Sequence, residues 1–256
     1  MSALYFMDTI EIVSHGWAGS LPIYAQHLRF QLASLLNHPT DAQVLYTLFW
    51  AGPEFDPVLA SVIDDFASEC HHARKRVTFQ PIIQPREKLF RRAIGRHQRS
   101  QQTNCRLIWY CDIDYYFGAG AIDSVCGQAT DYGKLYFPRK CQISINHELG
   151  DSETQNINQK WPTVDPSKYK TTRNKLAIGG IQILRADCAR EVGYFNPKSK
   201  WHKDVDPNGG FSCFRDDSAW RRQEFPLPKQ CGFLVPNLYR IRHVQSSLRP
   251  QGFVKP

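Results

Sequence analysis

The sequence lacks any C-x-x-C pair: its eight cysteines, Cys70, Cys105, Cys111, Cys126, Cys141, Cys188, Cys213 and Cys231, are scattered along 256 residues. That spacing excludes a zinc ribbon or finger and a dense disulfide framework, so the thiols are expected to be buried side chains in a reducing compartment. No apolar run approaches the ~18 residues of a membrane span. The first residues, Met1 to Val13, carry Asp8 and Glu11 and no basic lead-in, so no secretion signal is expected either. Repeats and Ser/Gly linkers are also missing, and Gly and Pro, 16 of each, are spread evenly. A solenoid, a collagen-like rod and a largely disordered chain are therefore excluded, leaving one globular domain.

Hydrophobic residues make up 42% of the chain, enough for a core, and 32 Lys and Arg stand against 24 Asp and Glu, a net charge of +8. Such a balance favours anionic partners, whether nucleotides, nucleic acids or an acidic membrane surface. The expected location is cytoplasmic, with peripheral contact to the inner face of an anionic membrane as an extension of the same charge argument.

The first half alternates apolar runs with helical periodicity. Ile10 to Ser14 predicts a strand. Leu21 to Leu36, opened by Pro22, predicts a helix with Ile23, His27, Phe30 and Leu35 near one face. Gln43–Trp50, Val77–Ile83 and Leu107–Cys111 are further strand candidates, Pro57–Ser68 a second helix, and Glu87–Arg99 a basic helix. LIWYC, apolar at every position, is the pattern of a strand buried on both faces. Beyond it, Ala119–Thr130 predicts a helix, Lys134–Ile145 a strand, and Gly150–Thr172 a polar surface excursion. Leu176–Leu184 predicts a strand around a Gly pair, Asp187–Val192 a short helix, and Lys198–Gly210 a mobile loop. Strands alternating with helices imply an open α/β sheet.

Ligands of open α/β sheets bind outside the carboxyl ends of the strands, where Asp112 and Asp114 fall. Two carboxylates so placed suit one hard divalent cation bridging a diphosphate; the same D-x-D is also an ordinary acidic loop start. Several segments, in order, resemble the nucleotide-sugar-dependent glycosyltransferases of the GT-A fold, especially the inverting family that makes bacterial polysaccharides. They are IVSHGW, RRAIGRHQR, LIWYCDID, KLAIGGIQILRADCAREVGYF, FRDDSAWRR and YRIRHVQSS, which together run from Ile10 to about Ser247.

The resemblance implies a single domain whose residues 1–117 bind the nucleotide sugar and whose residues 118–256 bind the acceptor and carry catalysis. It implies that Ser14, His15, Gly16 and Trp17 contact the base and ribose, Trp17 being equally a core residue. Arg96 stands where the family has an Arg beside Asn, here His97, and a guanidinium there would reach a phosphate. The alternative for Arg86–Arg99 is a solvated basic face. Asp112, Ile113 and Asp114 form the D-x-D, Gly179 and Gly180 let backbone pass the donor sugar, and Gln182 lies behind them. The Gly pair also reads as a bulge within a strand. Asp217 matches the general base and Asp216 its acidic neighbour, Asp where most members have Glu; the pair also reads as a helix N-cap. His243 stands where related enzymes carry a third metal contact, which tilts the cofactor toward Mn2+ rather than Mg2+. Trp201 and Trp220 loosely echo the family's acceptor motif.

The function expected is metal-dependent transfer of a sugar, UDP-linked, to a glycan, lipid-linked or other hydroxyl acceptor with inversion, a retaining mechanism being the alternative because the sequence does not show which face of the sugar the base meets. A sugar-1-phosphate nucleotidylyltransferase fits less well, because SHGWAGSLP is too poor in Gly for its amino-terminal loop. A basic nucleic-acid-binding module would use Arg86–Arg99, but no nucleic-acid motif is present.

Overall fold

The computed structural model describes residues 8–18, 22–72, 76–89, 91–155, 159–194 and 213–242, the side chains of 22, 72, 87, 213–216 and 219 excepted. The expected loop Lys198–Gly210, Trp201 and His243 lie outside these residues. In chain order the first elements are β1 (Thr9–His15), α1 (Pro22–Asn37), β2 (Gln43–Trp50), α2 (Pro57–His72), β3 (Val77–Ile83), α3 (Arg86–Leu89), α4 (Arg92–Gln102) and β4 (Leu107–Cys111). Then come β5 (Tyr115–Phe117), α5 (Ala121–Gln128), β6 (Leu135–Pro138), β7 (Lys140–Ser144), α6 (His147–Gln155), β8 (Tyr169–Arg173) and β9 (Ile181–Arg185). The last are α7 (Ala186–Val192), α8 (Cys213–Glu224), β10 (Gln230–Phe233) and β11 (Leu238–Arg240).

The large sheet is open and mixed, seven strands in the order β10-β6-β9-β4-β1-β2-β3. β1 pairs in parallel with β2 on one side and β4 on the other, so the connections diverge between β1 and β4. That is the topological switch point at which such sheets open a crevice. β4 is buried at all five positions, because helices cover both faces of the sheet at its centre. β9 then enters antiparallel to β4, bringing Ile181 opposite Cys111 and its preceding turn to the carboxyl end of β4.

A four-stranded sheet, β5-β11-β7-β8, covers one flank. Its own apolar cluster is Phe30, Tyr116, Tyr169, Tyr239 and Ile241, with Tyr169 and Tyr239 edge to face at 5.1 Å. Both sheets draw strands from either side of residue 117: β6, β9 and β10 complete the large one and β5 opens the small one.

Four expectations are corrected. The basic stretch 87–99 is not one helix: α3 ends at Leu89 and α4 starts at Arg92. The expected strand Lys134–Ile145 is two, β6 and β7, lying in different sheets with Arg139 at the corner between them. The polar excursion holds most of α6 and most of β8, because its polar groups satisfy one another: Glu153 accepts from the Tyr169 hydroxyl at 2.6 Å and the Asp165 amide at 2.9 Å. Gly179 and Gly180 form a turn before β9 rather than a bulge in it.

Among the described residues no helix is long and apolar enough to cross a membrane. The described cysteines are free thiols; Cys111, Cys126, Cys141 and Cys188 are buried, whereas Cys70, Cys105 and Cys231 are part-buried. Burial pushes the Cys105 thiol up to about 11.

Candidate functional site

The site is built where β4 ends. Asp112 leaves the buried strand, the chain turns, and the Asp114 carbonyl accepts from the Ile241 amide at 2.9 Å, pinning the turn to the residue after β11. α4 crosses above, and Arg92 and Arg96, four apart, project from one face of it. Arg96 is fully buried and its two terminal nitrogens are spent on protein: Nη2 lies 3.1 Å from Asp112 Oδ1, and Nη1 2.9 Å from Asp217 Oδ1 and 2.8 Å from the Tyr194 hydroxyl. Arg92 also bridges the two carboxylates, donating to Asp112 Oδ1 and reaching Asp217 Oδ2 at 3.3 Å. Burial alone would raise the Asp112 carboxyl, but Arg92, Arg96 and Arg240 outweigh it and hold it below its ordinary value.

Asp217 is the fifth residue of α8, inside the helix, so the N-cap alternative does not describe it. It points back at the turn before β9. A Cβ on Gly179 would stand 2.3 Å from Asp217 Oδ2, and one on Gly180 2.8 Å from Asp112 Oδ2. Two successive glycines are thus required for both carboxylates to lie against one turn. The Tyr194 hydroxyl sits 2.6 Å from both Asp217 Oδ1 and Gln182 Oε1, with one proton to give. Behind it Trp220 stacks on Tyr194 at 4.2 Å and donates to the Gly193 carbonyl at 2.7 Å. Trp220 is therefore core packing behind the carboxylate.

Asp114 differs from Asp112. Arg240 Nε holds Oδ2 at 2.8 Å, while Oδ1 is buried with no hydrogen-bond partner among the described residues. At Asp112 both arginines take Oδ1 and neither takes Oδ2. Among the described residues, each carboxylate of the D-x-D therefore keeps one oxygen that no arginine claims. That donor set fits a divalent cation drawing its remaining ligands from a diphosphate and water. Among the described residues no three His, Cys, Asp or Glu side chains cluster as a self-sufficient metal site.

Of the residues expected at the site, Asp112, Asp114, Arg96, Gly179, Gly180, Gln182 and Asp217 come together. His15 borders them: it stacks on Phe49 at 5.0 Å, and a Cβ on Gly95 would lie 2.5 Å from its Nε2, so only Gly lets α4 pass. Burial first, then Arg96 and Arg92, hold the imidazole well below its ordinary range and therefore neutral at pH 7, with neither ring nitrogen hydrogen-bonded among the described residues.

The other expected residues lie elsewhere or pack. Ser14 does not join them; its hydroxyl is buried 3.1 Å from Gln31 Oε1 and 3.0 Å from the Cys111 carbonyl, tying β1 to β4. The Gly16 amide donates to the Phe49 carbonyl at 2.8 Å, and Trp17 lies under the Arg86 guanidinium at 4.7 Å. Ile113 is part-buried against the core. Asp216 is in α8, its side chain outside the description.

Sequence reasoning missed Arg92, Tyr194 and Arg240. The signal for Arg92 was its four-residue spacing from Arg96; for Tyr194 and Arg240 no local signal existed, since each reaches the site from a distant element.

No protein-family profile matches the sequence, and no curated protein matches it. Solved structures share the fold. A mannosyltransferase from Pyrobaculum calidifontis, PcManGT, in complex with GDP-Man and Mn2+, matches 94% of this chain at 11% identity with a TM-score of 0.51. This chain spans 59% of that protein's length. Mouse xyloside xylosyltransferase 1, in its apo form, matches 91% of this chain and 96% of its own at 12% identity, with a TM-score of 0.41. At the first of these likenesses the conclusion is one of architecture: the chain has the open mixed sheet, flanked by helices, of the GT-A glycosyltransferase fold.

Proposed function

We propose that the protein transfers a sugar from a nucleoside diphosphate donor, UDP-linked, to an acceptor hydroxyl with inversion, assisted by Mn2+ or Mg2+. What supports this above all is the meeting, at the Gly179-Gly180 turn at the switch point, of Asp112, the first carboxylate of the D-x-D, and the single carboxylate Asp217. Asp112 Oδ2 and Asp114 Oδ1, with His243, would hold the cation, which when bound neutralises charge on the departing diphosphate. Asp217 takes the acceptor proton as the acceptor oxygen bonds to the anomeric carbon. The bond from that carbon to the phosphate oxygen breaks, and the electron pair leaves with the diphosphate. Asp216 is its acidic neighbour. Arg92, part-buried where Arg96 is fully enclosed, supplies the guanidinium that turns to a phosphate.

Neutral His15, with Gly16 and Trp17, borders the space for the base, and Ser14 and Gln182 brace the walls. Residues 1–117 in this scheme serve the donor and 118–256 the acceptor, a glycan, a lipid-linked sugar or another hydroxyl compound. Nucleic acid has no part in it. The test is a thermal-shift screen of UDP, GDP, CDP and dTDP sugars with and without Mn2+, in which a donor at about 100 times its Kd raises stability by about 2.7 kcal/mol. Asp112→Asn and Asp114→Asn should each remove the metal-dependent part of that shift. An unchanged shift in both variants overturns the assignment.

A further inference from the structure

The small sheet carries a charge arrangement that the proposed chemistry does not use. In β7 and β8, Lys140 stands directly opposite Arg173, both exposed, on the face where the next pair, Gln142 and Thr171, hydrogen-bonds at 3.1 Å. Like charges directly opposite across a ladder destabilise it. Arg139 and Lys175, exposed at the ends of the same two segments, add two more cations. None of the four forms an ion pair among the described residues.

Backbone bonds fix the group in place: the Arg139 amide donates to the Phe233 carbonyl at 2.7 Å, and the Asn174 amide to the Arg139 carbonyl at 2.9 Å. Leu234, next along from the Phe233 whose carbonyl takes the Arg139 amide, is 57% exposed. Since β6 and β4 are both antiparallel to β9, the patch follows the carboxyl end of β6, on the same rim of the large sheet as Asp112.

We infer that this rim patch binds an anionic phospholipid surface, with Arg139, Lys140, Arg173 and Lys175 on the headgroups and Leu234 at the acyl boundary. Cations held beside an exposed aliphatic side chain suit the membrane interface, where charge and apolar burial act together. A free polyanion has no use for the leucine, and no exposed aromatic ring stands among the five residues on which a base would stack.

The experiment is co-sedimentation of the full chain with vesicles of phosphatidylcholine alone and of phosphatidylcholine mixed with phosphatidylglycerol, at low and raised salt. Binding is expected to the mixed vesicles only and to weaken with salt. Arg173→Glu should lower it by about tenfold or more while leaving the melting temperature equal or higher, because the new carboxylate faces Lys140. Arg76→Glu, the same charge change at the opposite end of the sheet, should leave binding near the parent's. The inference is overturned if the parent ignores mixed vesicles, if it binds both kinds equally, if the two variants lose equally, or if Arg173→Glu loses nothing. Capture of RNA or an acidic polysaccharide in place of vesicles, abolished by Arg173→Glu, also rejects the lipid assignment. Each readout is independent of sugar transfer.

Discussion

Helix α4 serves two carboxylate clusters, and their contrast separates holding a fold from preparing a reaction. At its carboxyl end Arg99 meets Glu11 in the middle of β1, with Nε 2.5 Å from Oε1 and Nη2 3.2 Å from Oε2, and the Thr47 hydroxyl donates to the same carboxylate at 2.6 Å. Glu11 is fully buried and its oxygens are taken. At the amino end Arg92 and Arg96 meet Asp112 and Asp217, but there Asp114 Oδ1, Arg96 Nε and both His15 nitrogens are buried without partners among the described residues, and two glycines clear the space between. Arginine–carboxylate pairs are found in both places. Complete satisfaction marks the first as structural, and the polar atoms left over mark the second as a place where something else binds.

Substitutions sharpen or break this division. Glu11→Gln leaves the Arg99 guanidinium buried without its counter-charge, and a cost of about 3–5 kcal/mol is expected in denaturant unfolding, with the transfer rate per folded molecule preserved. Asp217→Asn should do the reverse. Transfer falls on the order of a hundredfold or more, the scale for losing a positioned base, while the midpoint moves less than for Glu11→Gln because Arg96 keeps Asp112. Equal unfolding by both variants, or lost transfer in Glu11→Gln, would erase the distinction.

The smallest effect runs against intuition. Arg92→Gln removes a cation that competes for Asp112, so Mn2+ affinity measured without nucleotide should rise by up to about tenfold while nucleoside diphosphate affinity falls. A drop in both would make Arg92 a structural brace.

Much of this is legible in the sequence. LIWYC announced a central strand because a strand covered on both faces has no polar position, and a D-x-D directly after it had to lie at the carboxyl edge. Gly179-Gly180 was legible as a backbone requirement, though not which carboxylates demanded it. The arginines were opaque for a physical reason: six Lys and Arg between Arg86 and Arg99 match a solvated helix face as well as a buried network, and only the tertiary fold turns Arg96 inward. α6 and β8 hid in a polar stretch because their buried groups, Glu153, Thr154 and Tyr169, are themselves polar or amphipathic. The Asp217 cap alternative failed because helix α8 begins four residues earlier than the acidic pair suggested.

The place of β9, wedged antiparallel between β4 and β6, governs the order in which the molecule can be completed. A chain emerging from synthesis has β1 to β4 and α1 to α4, and with them Arg92, Arg96, Asp112 and Asp114, before β9 exists. Asp217 and Tyr194 follow β9, and their contacts with Arg96 close loops of 121 and 98 residues. Both wait on residues that lie beyond β9 in the chain, so they arrive after β4 has left synthesis. Until then Arg92 and Arg96 have only one of the two carboxylates they eventually share, and a chain interrupted before residue 181 would possess Asp112 and Asp114 with nothing to face them.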